Sequence, residues 1–235
     1  MRHVLVMTAS ASAGLIAMFT VDVADLFFIT LLGDQSLVAA VGFSGTLLYF
    51  LLSLGIGLNI ALGALVARHE GRGDRETAGE FCTSALCVST AVAVVCALLA
   101  WWQLPGLLGL LGASGETLEH ARRYTQIQLL GVPLLILAMN LSGALRAVGD
   151  ARRSMLATIY GALANAILDP LFIFYFAWGI EGAAWASVAA RCVIFAYAGR
   201  ALLLVHRLPC AVDLSRVRSQ VPAIGVIAVP AVMIN

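Results

Sequence analysis

The chain has 235 residues, of which 61% are hydrophobic and only 11% charged, with a formal net charge of +1. A soluble domain carries about 25% charged residues, so this composition excludes one. The small net charge gives no reason to expect a nucleic-acid partner.

A bilayer core of ~30 Å needs about 20 helical residues. Met1-Arg2-His3 leads into an apolar run that continues past residue 30 without a cleavage site, which reads as a retained first span rather than a signal peptide. That span covers about Leu5 to Leu32, with Gly33-Asp34-Gln35-Ser36 as a tight turn after it. The second covers about Leu37 to Val66, and the polar run Ala67 to Glu80 leaves the membrane. The third covers about Phe81 to Trp102 and ends in an interfacial Trp pair. Gln103 to Arg123 is expected to be a long amphipathic connection. The fourth span covers about Tyr124 to Leu145, the fifth Met155 to Trp178 and the sixth Gly182 to Leu204. A basic link, Val205 to Ser219, precedes the apolar run Gln220 to Asn235, read as a seventh helix that the chain only begins.

All 14 basic residues are arginine. Eleven of them (Arg2, Arg68, Arg72, Arg75, Arg146, Arg152, Arg153, Arg200, Arg207, Arg216 and Arg218) fall on one set of loops. The opposite set has Arg122 and Arg123, and Arg191 lies inside the sixth span. The arginine bias predicts a cytoplasmic N-terminus. The five cysteines (Cys82, Cys87, Cys96, Cys192, Cys210) show no CxxC spacing and read as small packing residues. The four histidines fall at membrane edges, which argues against a histidine metal site in the core.

Three acids stand inside apolar spans: Asp22 and Asp25 in the first, Asp169 in the fifth. A charge near the bilayer centre costs roughly 2.5–3.5 kcal/mol on insertion scales, so such groups need a polar interior and point to an ion or proton pathway. Asp22 and Asp25 are three residues apart, and Asn165 and Asp169 four apart, so each pair shares a helix face. Gly161, one turn before Asn165, would admit a neighbouring helix or water. Pro170 cannot donate to the carbonyl of Ala166. Two carboxylates, an amide oxygen and a freed carbonyl form an all-oxygen set suited to a hard cation or proton; Ser187 could add a hydroxyl. Arg191 could neutralise at most one aspartate. Tyr124 and Gln128 share a face of the fourth span, and Asn140 lies beyond Pro133; these could line a pathway or make local hydrogen bonds. Phe27, Phe28, Phe172, Phe174 and Phe176 read as lipid-facing or packing residues.

At these residues the chain resembles the multidrug and toxic compound extrusion (MATE) transporters, especially the bacterial DNA-damage-inducible protein F-like branch. The resemblance rests on Asp25-Leu26-Phe27-Phe28-Ile29-Thr30-Leu31-Leu32-Gly33 followed by Ala39-Ala40-Val41-Gly42, and on Ala64-Leu65-Val66-Ala67-Arg68 with Gly71 and Gly73-Asp74. It extends to Leu145-Arg146-Ala147-Val148-Gly149-Asp150-Ala151-Arg152 and to Asn165-Ala166-Ile167-Leu168-Asp169-Pro170-Leu171-Phe172-Ile173-Phe174, and covers about residues 20–190. It implies twelve helices in two six-helix lobes and a cation-coupled antiporter, driven by Na⁺ or H⁺, that exports organic, often cationic, molecules by alternating access. It implies a cation or proton site at Asp25, Asn165, Asp169 and Ser187, with Na⁺ a candidate at the first three. Tyr124, Asn140 and the unusual acid Asp22 are additional pathway candidates.

The expected fold is therefore an all-α integral membrane bundle: residues 1–204 a six-helix N-terminal lobe, 205–219 a cytoplasmic link and 220–235 the start of helix seven. The expected setting is a bacterial inner membrane. The expected partners are a small organic substrate, lipid and a C-terminal lobe missing from this chain, with no cofactor and no enzymatic activity. The alternatives are a lipid-linked precursor flippase of the same superfamily and a non-transporting half-lobe. A third, an intramembrane aspartyl protease using Asp25 and Asp169, is disfavoured by the Asn165–Asp169–Pro170 arrangement.

Overall fold

The computed structural model describes residues 12, 16, 19–21, 23–208 and 213–234. Among these the regular structure is all helical. The described end of the first helix, α1, covers residues 23–30, and α2 (Gln35–Glu70), α3 (Arg75–Trp102), the short α4 (Leu104–Leu110) and α5 (Gly115–Ala147) follow. Then come α6 (Ala151–Pro170), continued by a π turn at Leu171–Tyr175, α7 (Gly179–Arg200), continued by another at Ala201–His206, and α8 (Leu214–Ile234). Six helices among the described residues are long and apolar enough to cross a membrane.

One local device starts three of these helices. Gly-Asp recurs at 33–34, 73–74 and 149–150. Each glycine has positive φ (76°, 77° and 85°), a conformation that suits the residue just past a helix end. Each aspartate then caps the next helix, accepting from the backbone N–H of Ser36, Thr77 or Arg153 at 2.8, 3.2 and 3.1 Å. These turns are shorter than expected from hydropathy. The run Ala67 to Glu80 is mostly helix, because the caps at Gly71–Asp74 confine the break to four residues. The expected long connection Gln103 to Arg123 holds α4 and the first turns of α5. The α8 helix begins at Leu214, inside the segment expected to be a link.

In the packing, α5 lies against α2, α7 and α3, and α8 rests on α2 and α3. Small residues face inward: Ala78, Gly79, Ala85, Ala93, Ala97 and Ala100 are the buried side of α3, whereas Leu98, Trp102, Leu163 and Ile167 are exposed on the bundle's outside. That inversion is expected in lipid, where helices associate by close backbone approach. Phe27, Phe174 and Phe176 are likewise exposed, while Phe28 packs edge-on to Phe174 with ring centroids 6.2 Å apart.

The tightest approach to backbone is at Gly182, where an added Cβ would lie 2.7 Å from the Phe172 carbonyl carbon and oxygen. Backbone cannot rotate away, so Gly182→Ala is expected to destabilise the chain by about 1–3 kcal/mol, outweighing the roughly 1 kcal/mol gain in helix propensity. Gly63, with nothing within 4 Å of its Cβ position, is the control. Thermal unfolding in detergent checks this; equal midpoints for Gly182→Ala and Gly63→Ala would refute it.

Candidate functional site

Four helices reach one level near the arginine-poor end. Asp25 precedes Gly33 by eight residues, Tyr124 follows Ser114 by ten, Asp169 precedes Gly179 by ten and Ser187 follows Gly179 by eight. At 1.5 Å per residue each lies roughly 12–15 Å in from that end. Asn165 and Gln128 sit about one turn deeper.

These side chains also meet. Asp169 is 0% exposed, and Asn165 and Gln128 are each 2% exposed. The Asn165 Nδ2 donates to Asp169 Oδ1 at 3.3 Å, and Gln128 Nε2 donates to the Tyr124 hydroxyl at 3.0 Å. Asp25 lies beside Asp169 and within hydrogen-bonding reach of Ser187, and Arg191 acts on it through its charge. Tyr124 is also within the field of Asp25, Asp169 and Arg191. Four buried oxygens here have no hydrogen-bond partner: Asp25 Oδ1, Gln128 Oε1, Asn165 Oδ1 and Asp169 Oδ2. All four are acceptors. Buried acceptors without partners are costly and uncommon in native proteins, and a set of them on neighbouring helices suits a cation or a proton.

The sequence candidates therefore divide. Asp25, Asn165, Asp169, Ser187 and Tyr124 converge, with Gln128 joining them. Asn140 does not. It lies sixteen residues along α5 from Tyr124, donates to the Ile136 carbonyl at 2.8 Å and accepts from Asn59 Nδ2 at 3.4 Å. Asn59 and Ser154 in turn accept from Arg146 at 3.4 and 2.8 Å, forming a separate polar network nearer the arginine-rich end. Asp22 lies outside the described residues, as does Cys210. The place beside Gly161 belongs to a helix, since a Cβ there would meet Ile194 Cγ1 at 2.3 Å. Among the described cysteines Cys82 is buried, but Cys192 is exposed and so is not a packing residue. Sequence reading also did not foresee a group at the arginine-poor surface, where the exposed Asp34 and Glu116 and the half-buried His120 each bring one ligand atom within 4.8 Å of the others.

A family model described as MatE matches residues 11–171. The chain belongs to the MatE family. Its members are transporters, and with its apolar helices this MatE chain is a multi-pass membrane protein. It is 30% identical over 240 residues to the FAD transporter of Shewanella oneidensis, covering 100% of this chain and 53% of that protein. It is 28% identical to the probable multidrug resistance protein YpnP of Bacillus subtilis, over 78% of this chain and 41% of that protein. Among solved structures, the outward-facing conformation of a multidrug resistance MATE family transporter of the MOP superfamily superposes with a TM-score of 0.89. That match has 26% identity and covers 98% of this chain and 52% of the other. The chain thus spans about half the length of the MatE relatives it matches.

Proposed function

We propose that this chain supplies the cation site and one bundle of a cation-coupled exporter of small organic molecules. The observation that carries the reading is the convergence of four partnerless buried acceptors, two of them carboxylates, from three different helices. In this reading Asp25, Asn165 and Asp169 hold Na⁺ or H⁺, Ser187 assists and Tyr124 lines the approach. The helices through His206 belong to a six-helix lobe, the segment between His206 and Leu214 is the link to a second lobe, and α8 is the start of helix seven. A complementary lobe is the required partner, because alternating access needs two bundles rocking about a site. The inner membrane is the proposed location, with the N-terminus cytoplasmic because eleven of the 14 arginines fall on one set of loops in the sequence.

The drug-exporter names of several relatives support an organic cation as cargo. A second reading, an anionic flavin nucleotide, is favoured by the identity to the FAD transporter. Everted vesicles from cells making this chain with a complementary lobe test both. An imposed Na⁺ or H⁺ gradient is expected to drive uptake of ethidium, and FAD uptake instead would decide for the second reading. Uptake of neither, or uptake unchanged by Asp25→Asn, would overturn the proposal. Impermeant labelling of a cysteine at position 72, in a cysteine-free background, should occur in these vesicles and not in intact cells.

A further inference from the structure

Arg191 lies midway along the spanning helix α7, twelve residues from its start and nine from its end. A guanidinium at that depth is far from either surface and needs a reason to be there. Its position is built. Gly131 of α5 faces it, and a Cβ on Gly131 would lie 2.6 Å from Arg191 Nη1 and 2.7 Å from Val188 Cγ2. Only glycine leaves that space. From this seat Nη1 donates to the Gln128 backbone carbonyl at 3.5 Å.

The bond goes to a backbone carbonyl while Asp25 Oδ1 and Asp169 Oδ2 remain partnerless. The guanidinium therefore acts on Asp25 through space without occupying the oxygens a cation would use. The ionisable groups around the site are Asp25 from α1, Tyr124 from α5, Asp169 from α6 and Arg191 from α7. With both carboxylates ionised and the phenol neutral, their charges sum to −1. One monovalent cation makes the cluster neutral; a second would leave a net positive charge away from water, which the membrane interior opposes.

We propose that Arg191 is a fixed internal counter-charge, held in a glycine seat on α5, that cancels one of the two acidic charges and limits the site to one monovalent cation at a time. The inference rests on the cation-site reading above and deepens it.

The test is equilibrium binding of ²²Na⁺ to the purified chain in nanodiscs, with pH-stat proton uptake in Na⁺-free buffer as the parallel arm. The chain with Arg191 is expected to take up one cation. Arg191→Gln is expected to take up two, the first about tenfold tighter or more, and Arg191→Lys to return the number to one. Should Arg191→Gln fail to fold, Gly131→Ala serves: it keeps the charge but displaces the guanidinium from its seat, and is expected to change the affinity about tenfold at unchanged stoichiometry. One cation at unchanged affinity in Arg191→Gln, or unchanged affinity in Gly131→Ala, would overturn the counter-charge while leaving the cation site standing. Two cations bound with Arg191 in place would do the same. No binding by the unaltered chain would overturn the cation site and this inference with it.

Discussion

Asp169→Asn is expected to weaken cation binding about 100-fold while leaving the bundle intact or more stable. The side chain is fully buried, accepts a long hydrogen bond from Asn165 and lies against the Asp25 carboxyl, with no donor at Oδ2. Its substitution by an amide removes a full charge and turns one acceptor into a donor. Loss of a charged ligand contact is worth about 1.5–3 kcal/mol or more, so cation affinity is expected to fall about 100-fold. Stability should move the other way. An uncompensated buried carboxylate costs several kcal/mol, and a neutral amide of the same shape removes most of that cost. The cation-free variant is therefore expected to unfold at a higher temperature than the parent chain. Binding and unfolding measured on the same detergent preparations check both halves. Undiminished binding would remove Asp169 from the site, and a lower midpoint would mark it as a structural residue.

The second large effect is expected at the opposite end, where Asp150 joins three elements. Besides capping α6 it pairs with Arg153 and accepts from His206 Nε2 at 2.8 Å, and the His206 carbonyl accepts from Arg75 at 2.6 Å. Arg216 of α8 pairs with Glu80 of α3 alongside. Burial pushes the Asp150 carboxyl up, but the bonds from Arg153 and His206 outweigh it and hold the group below the usual carboxylate range. A depressed folded-state pKa contributes stability that is complete above the unfolded value of ~3.9 and is lost as pH falls through the folded value. Asp150→Ala is thus expected to cost about 2–3 kcal/mol at pH 7, from the cap and the charged bonds together. The difference from the parent chain should shrink below about pH 4. Chemical unfolding at pH 7 and pH 3 measures it. An equal difference at both pH values would show that the carboxylate charge contributes nothing.

Membrane class, the approximate spans, the arginine-rich end and the depth of the buried acids were all legible in the sequence, because each depends on a linear count. Twenty apolar residues cross a bilayer wherever they pack. A residue eight to ten positions from a turn also sits at a set depth, as Asp25, Asp169 and Ser187 do. Face sharing along one helix was legible for the same reason, so Tyr124 with Gln128 and Asn165 with Asp169 could be paired. The Gly-Asp turns could also be seen, but hydropathy drew their boundaries too wide, since it averages across a break that the caps confine to a few residues.

What only the tertiary structure decided was azimuth: which face of one helix meets which face of another. Asn140 and Tyr124 lie on the same helix and have similar polarity. One is bonded to Asn59 of α2 and the other is within the field of Asp25 of α1 and Arg191 of α7. Gly131 takes on its part only in the packing, which sets a guanidinium against it. A linear sequence fixes each group's height in the membrane, but convergence depends on helix rotation and crossing. Those are set by small-residue contacts between segments far apart in the chain, such as Gly161 against Ile194 and Gly182 against Phe172.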